Sequence, residues 1–294
     1  MTSNPVTTSV SIYDKKKRPM DAVLYTVIYL CAAIAVALLI GIIGYVLYRG
    51  LPSINWQFLS TAQSALKGTF GILPNIINTL YIIVITLLIA TPIGVGSAIY
   101  LNEYAKGGKL VRIIEFTTET LAGIPSIIYG LFGMLFFGEV LHLGFSILCG
   151  SMTLTLMILP IITRTTQEAL KTVPESYRSG ALGIGATKWY MIRTIILPSA
   201  MPGIVTGVIL AIGRIVGESA ALLFTAGSSY MMVENWFTHP MMSGGTLTIQ
   251  MYLSMTEAKY DDAFGIALVL VVIVLLINIL TKFISKKLDV NRKG

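Results

Sequence analysis

Six long apolar runs, at about 22–48, 73–101, 113–137, 143–163, 200–226 and 263–284, constrain this chain before any motif is considered. A helix needs about 20 apolar residues to cross the hydrocarbon core of a bilayer. Membrane-spanning backbone must be helical or a closed barrel, because lipid offers it no hydrogen-bond partners. Barrel strands alternate apolar and polar residues, and these runs do not. The sequence therefore predicts an all-α, polytopic membrane protein with six transmembrane helices. With 55% hydrophobic and only 12% charged residues, it does not read as one or two soluble domains. The third run carries Glu115 and Glu119 near its start, so its entry should be interfacial or packed on protein. The first run is longer than a signal-peptide core of about 7–15 residues and should remain as an anchor. Cys31 and Cys149 lie inside apolar runs without metal-ligand spacing and read as inert thiols.

The net charge of +7 is an orientation signal rather than a nucleic-acid footprint. Of 21 Lys and Arg residues, 17 fall in the N-terminus (Lys15, Lys16, Lys17 and Arg18), the 102–112 loop, the 164–199 stretch or the C-terminus. Arg49, Lys67 and Lys259 lie on the other side, and Arg214 lies within a run. Cytoplasmic loops carry the basic excess. Both termini are thus predicted to be cytoplasmic, and the 227–262 loop external. That loop holds Glu234, Glu257, Asp261 and Asp262, with Trp236 as an interface anchor; His142 and His239 signal little by themselves. The domain reading is a cytoplasmic arm at 1–21, a transmembrane domain at 22–286 with a cytoplasmic segment at 166–198, and a cytoplasmic tail at 287–294.

A stretch of about 35 residues joins the fourth and fifth runs, and loops that long are usually functional. Pro174 suits a first helical position, and Glu175 suits the helix dipole. Tyr177, Ala181 and Ile184 predict an apolar face. Gly183 and Gly185 predict a turn, and Thr187 caps a second helix ending near Pro198. In the fifth run, Gly203, Gly207 and Ala211, then Gly213, Gly217 and Ala221, recur every four residues, which lets helices approach closely in lipid. Arg214 falls about 16 Å into that run, near mid-membrane, where a charge must face protein or water. Glu218 follows at i+4, within pairing reach on one helix. The pair reads equally as an anion station, since guanidinium matches phosphate geometry, or as a structural ion pair.

The cytoplasmic segment resembles the Glu-Ala-Ala motif of ABC-importer permeases. Ser179, Gly180 and Ala181 occupy the triplet, Gly185 the glycine, and Ile195, Leu197 and Pro198 the closing positions; Ser179 departs from the usual Glu. The strings GRIVGESAALLFTAG (213–227), LAGIPSIIYGLFG (121–133) and TLTIQMYL (246–253) resemble phosphate-specific transport permeases, and Ser219 to Phe224 resembles their A-type subunit. The similarity covers most of the chain after about residue 70. It implies a type I importer permease in the bacterial inner membrane, not itself an enzyme, with 179–185 and 195–198 coupling to an ATPase. It also implies translocation roles for Arg214 and Glu218. Its implied partners are a second permease, two ATP-binding subunits and an extracytoplasmic phosphate-binding protein. No cofactor is implied on this chain; ATP and magnesium belong to the ATPase. Gly180 and Gly185 have the spacing of a phosphate-binding loop, but Ala186 stands where its lysine would be, and no strand is predicted before it. A permease for another oxyanion, or a membrane scaffold or sensor recruiting a cytoplasmic enzyme, remains an alternative.

Overall fold

The computed structural model describes residues 19–64, 69–105 and 107–288. The basic cluster of the arm, Lys67, and the tail beyond Leu288 lie outside the described residues. The chain divides into two units, Met1–Leu47 and Tyr48–Gly294. The described part of the first unit is most of α1 (Pro19–Gly50), whose side chains are apolar around the helix and exposed.

The second unit opens with α2 (Trp56–Ser60) and a small antiparallel ribbon, β1 (Ala62–Ser64) and β2 (Thr69–Ile72), pairing Ala62 with Ile72. Asn55 caps α2 by accepting from the Phe58 amide at 2.7 Å. Then come α3 (Leu73–Ile99), continued by a wider π-helical turn at Tyr100–Tyr104, α4 (Lys109–Ala122), α5 (Ser126–Gly133) and α6 (Ile147–Lys171). The cytoplasmic stretch forms α7 (Glu175–Gly183) and α8 (Lys188–Met191). A π turn at Ile192–Ile196 leads into α9 (Leu197–Gly217), and α10 (Ala220–Thr225), α11 (Leu247–Thr256) and α12 (Tyr260–Leu288) follow.

Among the described residues, five stretches are long and apolar enough to span: Met20–Ser53, Leu73–Tyr104, Ile147–Lys171, Lys188–Gly217 and Tyr260–Phe283. The sixth is broken. Val111–Ala122 and Ser126–Val140 meet at 103°, so the 113–137 run is not one helix. Pro125 explains the break. It has no amide proton to donate, and it disfavours helical geometry at Ile124 before it. Glu115 and Glu119 remain exposed on α4, in keeping with an entry outside lipid.

Small residues bring the helices together. A Cβ on Gly94 of α3 would sit 2.7 Å from Ile162 of α6, and one on Gly130 of α5 would sit 2.8 Å from the Ala221 Cα. Gly203 and Gly207 of α9 abut Ala169 and Thr165 of α6, and Ala211 is buried, as the first small-residue series predicts. The central apolar cluster includes Ile82, Tyr129, Leu154, Ile158, Ile162, Ile212, Ile215 and Leu222.

Two further expectations change. The helix beginning after Thr187 does not end near Pro198 but runs into the fifth span. The run at 200–226 breaks at Glu218, whose backbone is extended (φ −83°, ψ 124°). Within the 227–262 loop, Leu247, Thr248, Ile249 and Gln250 of α11 are buried.

Candidate translocation face and coupling segment

Pro202, Thr206, Leu210, Gly213, Arg214 and Gly217 are all exposed on α9. Their spacing of three and four residues makes them one stripe. Ala211, Ile212, Ile215 and Val216, on the other side, join the central cluster. Arg214 makes no ion pair or hydrogen bond with any described residue. A Cβ on Gly213 or Gly217 would meet nothing within 4 Å. These two glycines therefore belong to the open stripe, whereas Ala221, expected in series with them, is buried on α10 against Gly130.

The expected Arg214–Glu218 pair does not form. Spacing at i+4 brings side chains together only if the helix continues, and α9 stops at Gly217. Glu218 is buried, and its Oε1 accepts from the Ala221 amide at 3.1 Å, which caps α10. The Glu218 carbonyl accepts from the Thr248 hydroxyl at 3.0 Å, tying the break to α11. Nearby, the Tyr129 hydroxyl donates to the Leu121 carbonyl at 2.8 Å across the α4–α5 bend. Interrupted backbone and an open arginine within a span both require surroundings other than lipid.

At the bundle end carrying α7, Gly185 has φ +85°, the left-handed turn expected of it. The Thr187 hydroxyl accepts from the Tyr190 amide at 3.3 Å, the expected cap. Pro174 precedes the helix by one position. The predicted apolar face is not formed: Ala181 is buried at 4% exposure, but Tyr177 and Ile184 are exposed at 46% and 87%. Ser179 and Gly180 are exposed, and Ser179 donates only to the carbonyls of Glu175 and Ser176. Ile195, Leu197 and Pro198 are half-buried at the base of α9. The exposed Leu182, Ile184, Trp189 and Tyr190 give this segment an uncovered apolar surface.

Two polar clusters join residues far apart in sequence. Arg178 on α7 donates to Glu103 at 2.9 Å, to the Leu170 and Val173 carbonyls at 2.9 Å each, and to Glu175 at 3.3 Å. These bonds, chiefly the one to Glu103, hold its pKa above the usual value. At the opposite end, Asn75 and Asn78 of α3 donate to the Gly245 carbonyl at 2.9 and 3.2 Å, and the Thr79 hydroxyl accepts from the Leu247 amide. Asn78 Oδ1 lies 2.7 Å from His239 Nε2. With the Asn78 amide group committed to Gly245, Nε2 carries the proton, and the buried Nδ1 is left without a partner. Burial lowers the His239 pKa. The unfolded chain therefore binds the extra proton first. The stability from neutral His239 is present above the ordinary histidine pKa of about 6.5 and falls as pH drops below it. Limited proteolysis of segment 227–246 should be faster at about pH 5.5 than at about pH 7.5, and His239→Gln should abolish that difference.

The described residues form a multi-pass helical bundle with an uncovered stripe on α9 and an exposed helical segment at one end. The family described as binding-protein-dependent transport system inner membrane component matches residues 90–293, and the chain belongs to it. It is 36% identical over 279 residues to the probable ABC transporter permease protein YqgI of Bacillus subtilis strain 168, covering 89% of this chain and 95% of that protein. It is 32% identical to the phosphate transport system permease protein PstA of Xylella fastidiosa, covering 93% and 94%. Among solved structures, a bacterial alginate ABC transporter bound to its alginate-loaded periplasmic protein contains a chain that superposes with a TM-score of 0.68 at 16% identity, covering 92% and 96%. The fold is that of type I importer permeases. Such permeases are inner-membrane transport subunits, not enzymes. They work with a second permease, a separate ATPase and a substrate-binding protein.

Proposed function

We propose that this chain is the A-type permease subunit of an ATP-driven importer of inorganic phosphate. The observation that carries the reading is Arg214, a guanidinium without a partner among the described residues, on the open face of a spanning helix. Arginine offers an oxyanion two parallel hydrogen bonds and a full charge. The similarity to a PstA protein favours phosphate among oxyanions. Arg214 is the anion contact in this reading, and Glu218 shapes the pathway by capping α10 rather than by neutralising Arg214. A second permease would face the α9 stripe, and an extracytoplasmic phosphate-binding protein would deliver the anion. Two ATPase subunits, holding ATP and magnesium, would dock on the segment containing Ser179, Gly180, Ala181 and Gly185, with Ile195, Leu197 and Pro198 at its root. The basic loops place α7 and both termini in the cytoplasm.

The test uses right-side-out vesicles containing the co-expressed complex. Vesicles loaded with ATP should accumulate radiolabelled phosphate, and excess unlabelled phosphate should compete where sulfate does not. Equal competition by sulfate would end the phosphate assignment. Accumulation without internal ATP would end the assignment to an ATP-driven importer.

A further inference from the structure

The coupling helix is held to the bundle by very little apolar contact. Among its nine residues only Ala181 is buried, and an alanine methyl contributes too little burial to fix a helix against an applied load. Arg178 provides the attachment. Its side chain is 13% exposed and that of Glu103 only 4%, so the pair is shielded from solvent. The guanidinium reaches two neighbouring segments at once. It bonds Glu103 on the π turn that ends the second span, the Leu170 carbonyl in the last turn of α6 and the Val173 carbonyl just beyond it. Glu103 is steadied in turn by the Asn102 side-chain amide at 2.8 Å. The far end of α3 holds the Gly245 carbonyl through Asn75 and Asn78. One continuous helical span thus carries Glu103 near one end and a grip on the opposite segment at the other.

We propose that Arg178 is a positioning residue that transmits movement of the coupling helix to the second span through Glu103. The proposal rests on the ATPase docking at α7. A push on α7 moves Arg178, and Arg178 carries Glu103 and the α3 end with it, alongside the small apolar cluster that holds Ala181, Val173, Met191, Ile192 and Ala98. Glu175 is 81% exposed on its side chain and adds only a screened contact.

The test compares the complete co-expressed complex with variants Arg178→Met, Glu103→Gln and Arg178→Lys in vesicles. Radiolabelled phosphate uptake and ATP hydrolysis are measured together, with radiolabelled sulfate in parallel. In Arg178→Met and Glu103→Gln the ATPase should co-purify in full, while anion carried per ATP hydrolysed falls by about tenfold, an ordinary size for a coupling between sites. Arg178→Lys keeps the charge but not the fork and should fall between. An unchanged ratio in assembled Arg178→Met overturns the proposal, as does loss of the ATPase from all three variants, which would make the residue part of the docking itself. If Arg178→Met alone fails to assemble, the ratio in Arg178→Lys decides, and a wild-type value overturns the proposal. Gly185→Glu serves as the control for docking: if the ATPase stays bound to it, the docking reading fails, whatever the strut variants do. If the wild-type complex carries sulfate and not phosphate, the cargo reading fails, and the strut is judged on the sulfate ratio.

Discussion

Arg214→Gln is expected to reduce phosphate uptake by about thirtyfold or more while leaving the complex assembled. Gln keeps a polar head and removes the charge that offsets the dehydration of the anion. At an effective dielectric of about 20, unit charges 4 Å apart interact by about 4 kcal/mol. Losing half of that gives roughly a thirtyfold change, at about 1.4 kcal/mol per factor of ten. Assembly should survive because Arg214 has no partner among the described residues, so no buried charge is orphaned. Glu218→Gln should act differently. Its amide oxygen can still accept from the Ala221 amide, so α10 keeps its cap. Uptake should stay within a few-fold of wild type, whereas Glu218→Ala should lose about 1 kcal/mol of stability with the cap. Uptake assays with immunodetection of the subunit separate these outcomes. Normal uptake by Arg214→Gln would sink the anion-contact reading.

Gly130→Val should be a severe packing change in the helical bundle. A Cβ there would sit 2.8 Å from the Ala221 Cα and 3.1 Å from its carbonyl oxygen, and backbone cannot swing aside. Overpacking costs about 1–3 kcal/mol in general and more where the neighbour is main chain. Helices α5 and α10 would part, and α10 is the element that Glu218 caps beside the open face. Membrane levels of the subunit should fall about tenfold. Gly96→Val is the matched control, since a Cβ there meets nothing within 4 Å. Wild-type levels of Gly130→Val would show that the α5–α10 contact is dispensable.

The spans were legible because the bilayer imposes a length that few other structures need. Leu73 begins α3 where the apolar run begins. The breaks were harder to see. Pro125 stood in plain view, but uniform hydropathy across 113–137 concealed a bend. Between Arg214 and Glu218 there is no proline, and the i+4 spacing counts four residues along a helix that ends at Gly217. In the docking segment, Gly185 and Thr187 were readable because turns and caps are local events. Arg178 and Glu103 are 75 residues apart, and His239 and Asn78 are 161 apart, so no window of sequence contains either pair. One hint went unused: Asn75 and Asn78 lie one turn apart at the start of an apolar span, and amides there need partners within the protein.

The uncovered arginine also bears on how the subunit is made. Alone in the bilayer, the chain exposes Arg214 and a stripe of small residues to a solvent that cannot solvate a cation. Its folded monomer is therefore penalised until another surface covers the stripe. Anything that binds the folded form and not the unfolded one shifts that balance by mass action. The abundance of this subunit is then set by the supply of its neighbour as well as by its own synthesis, and unmatched copies are the ones left open to membrane proteolysis.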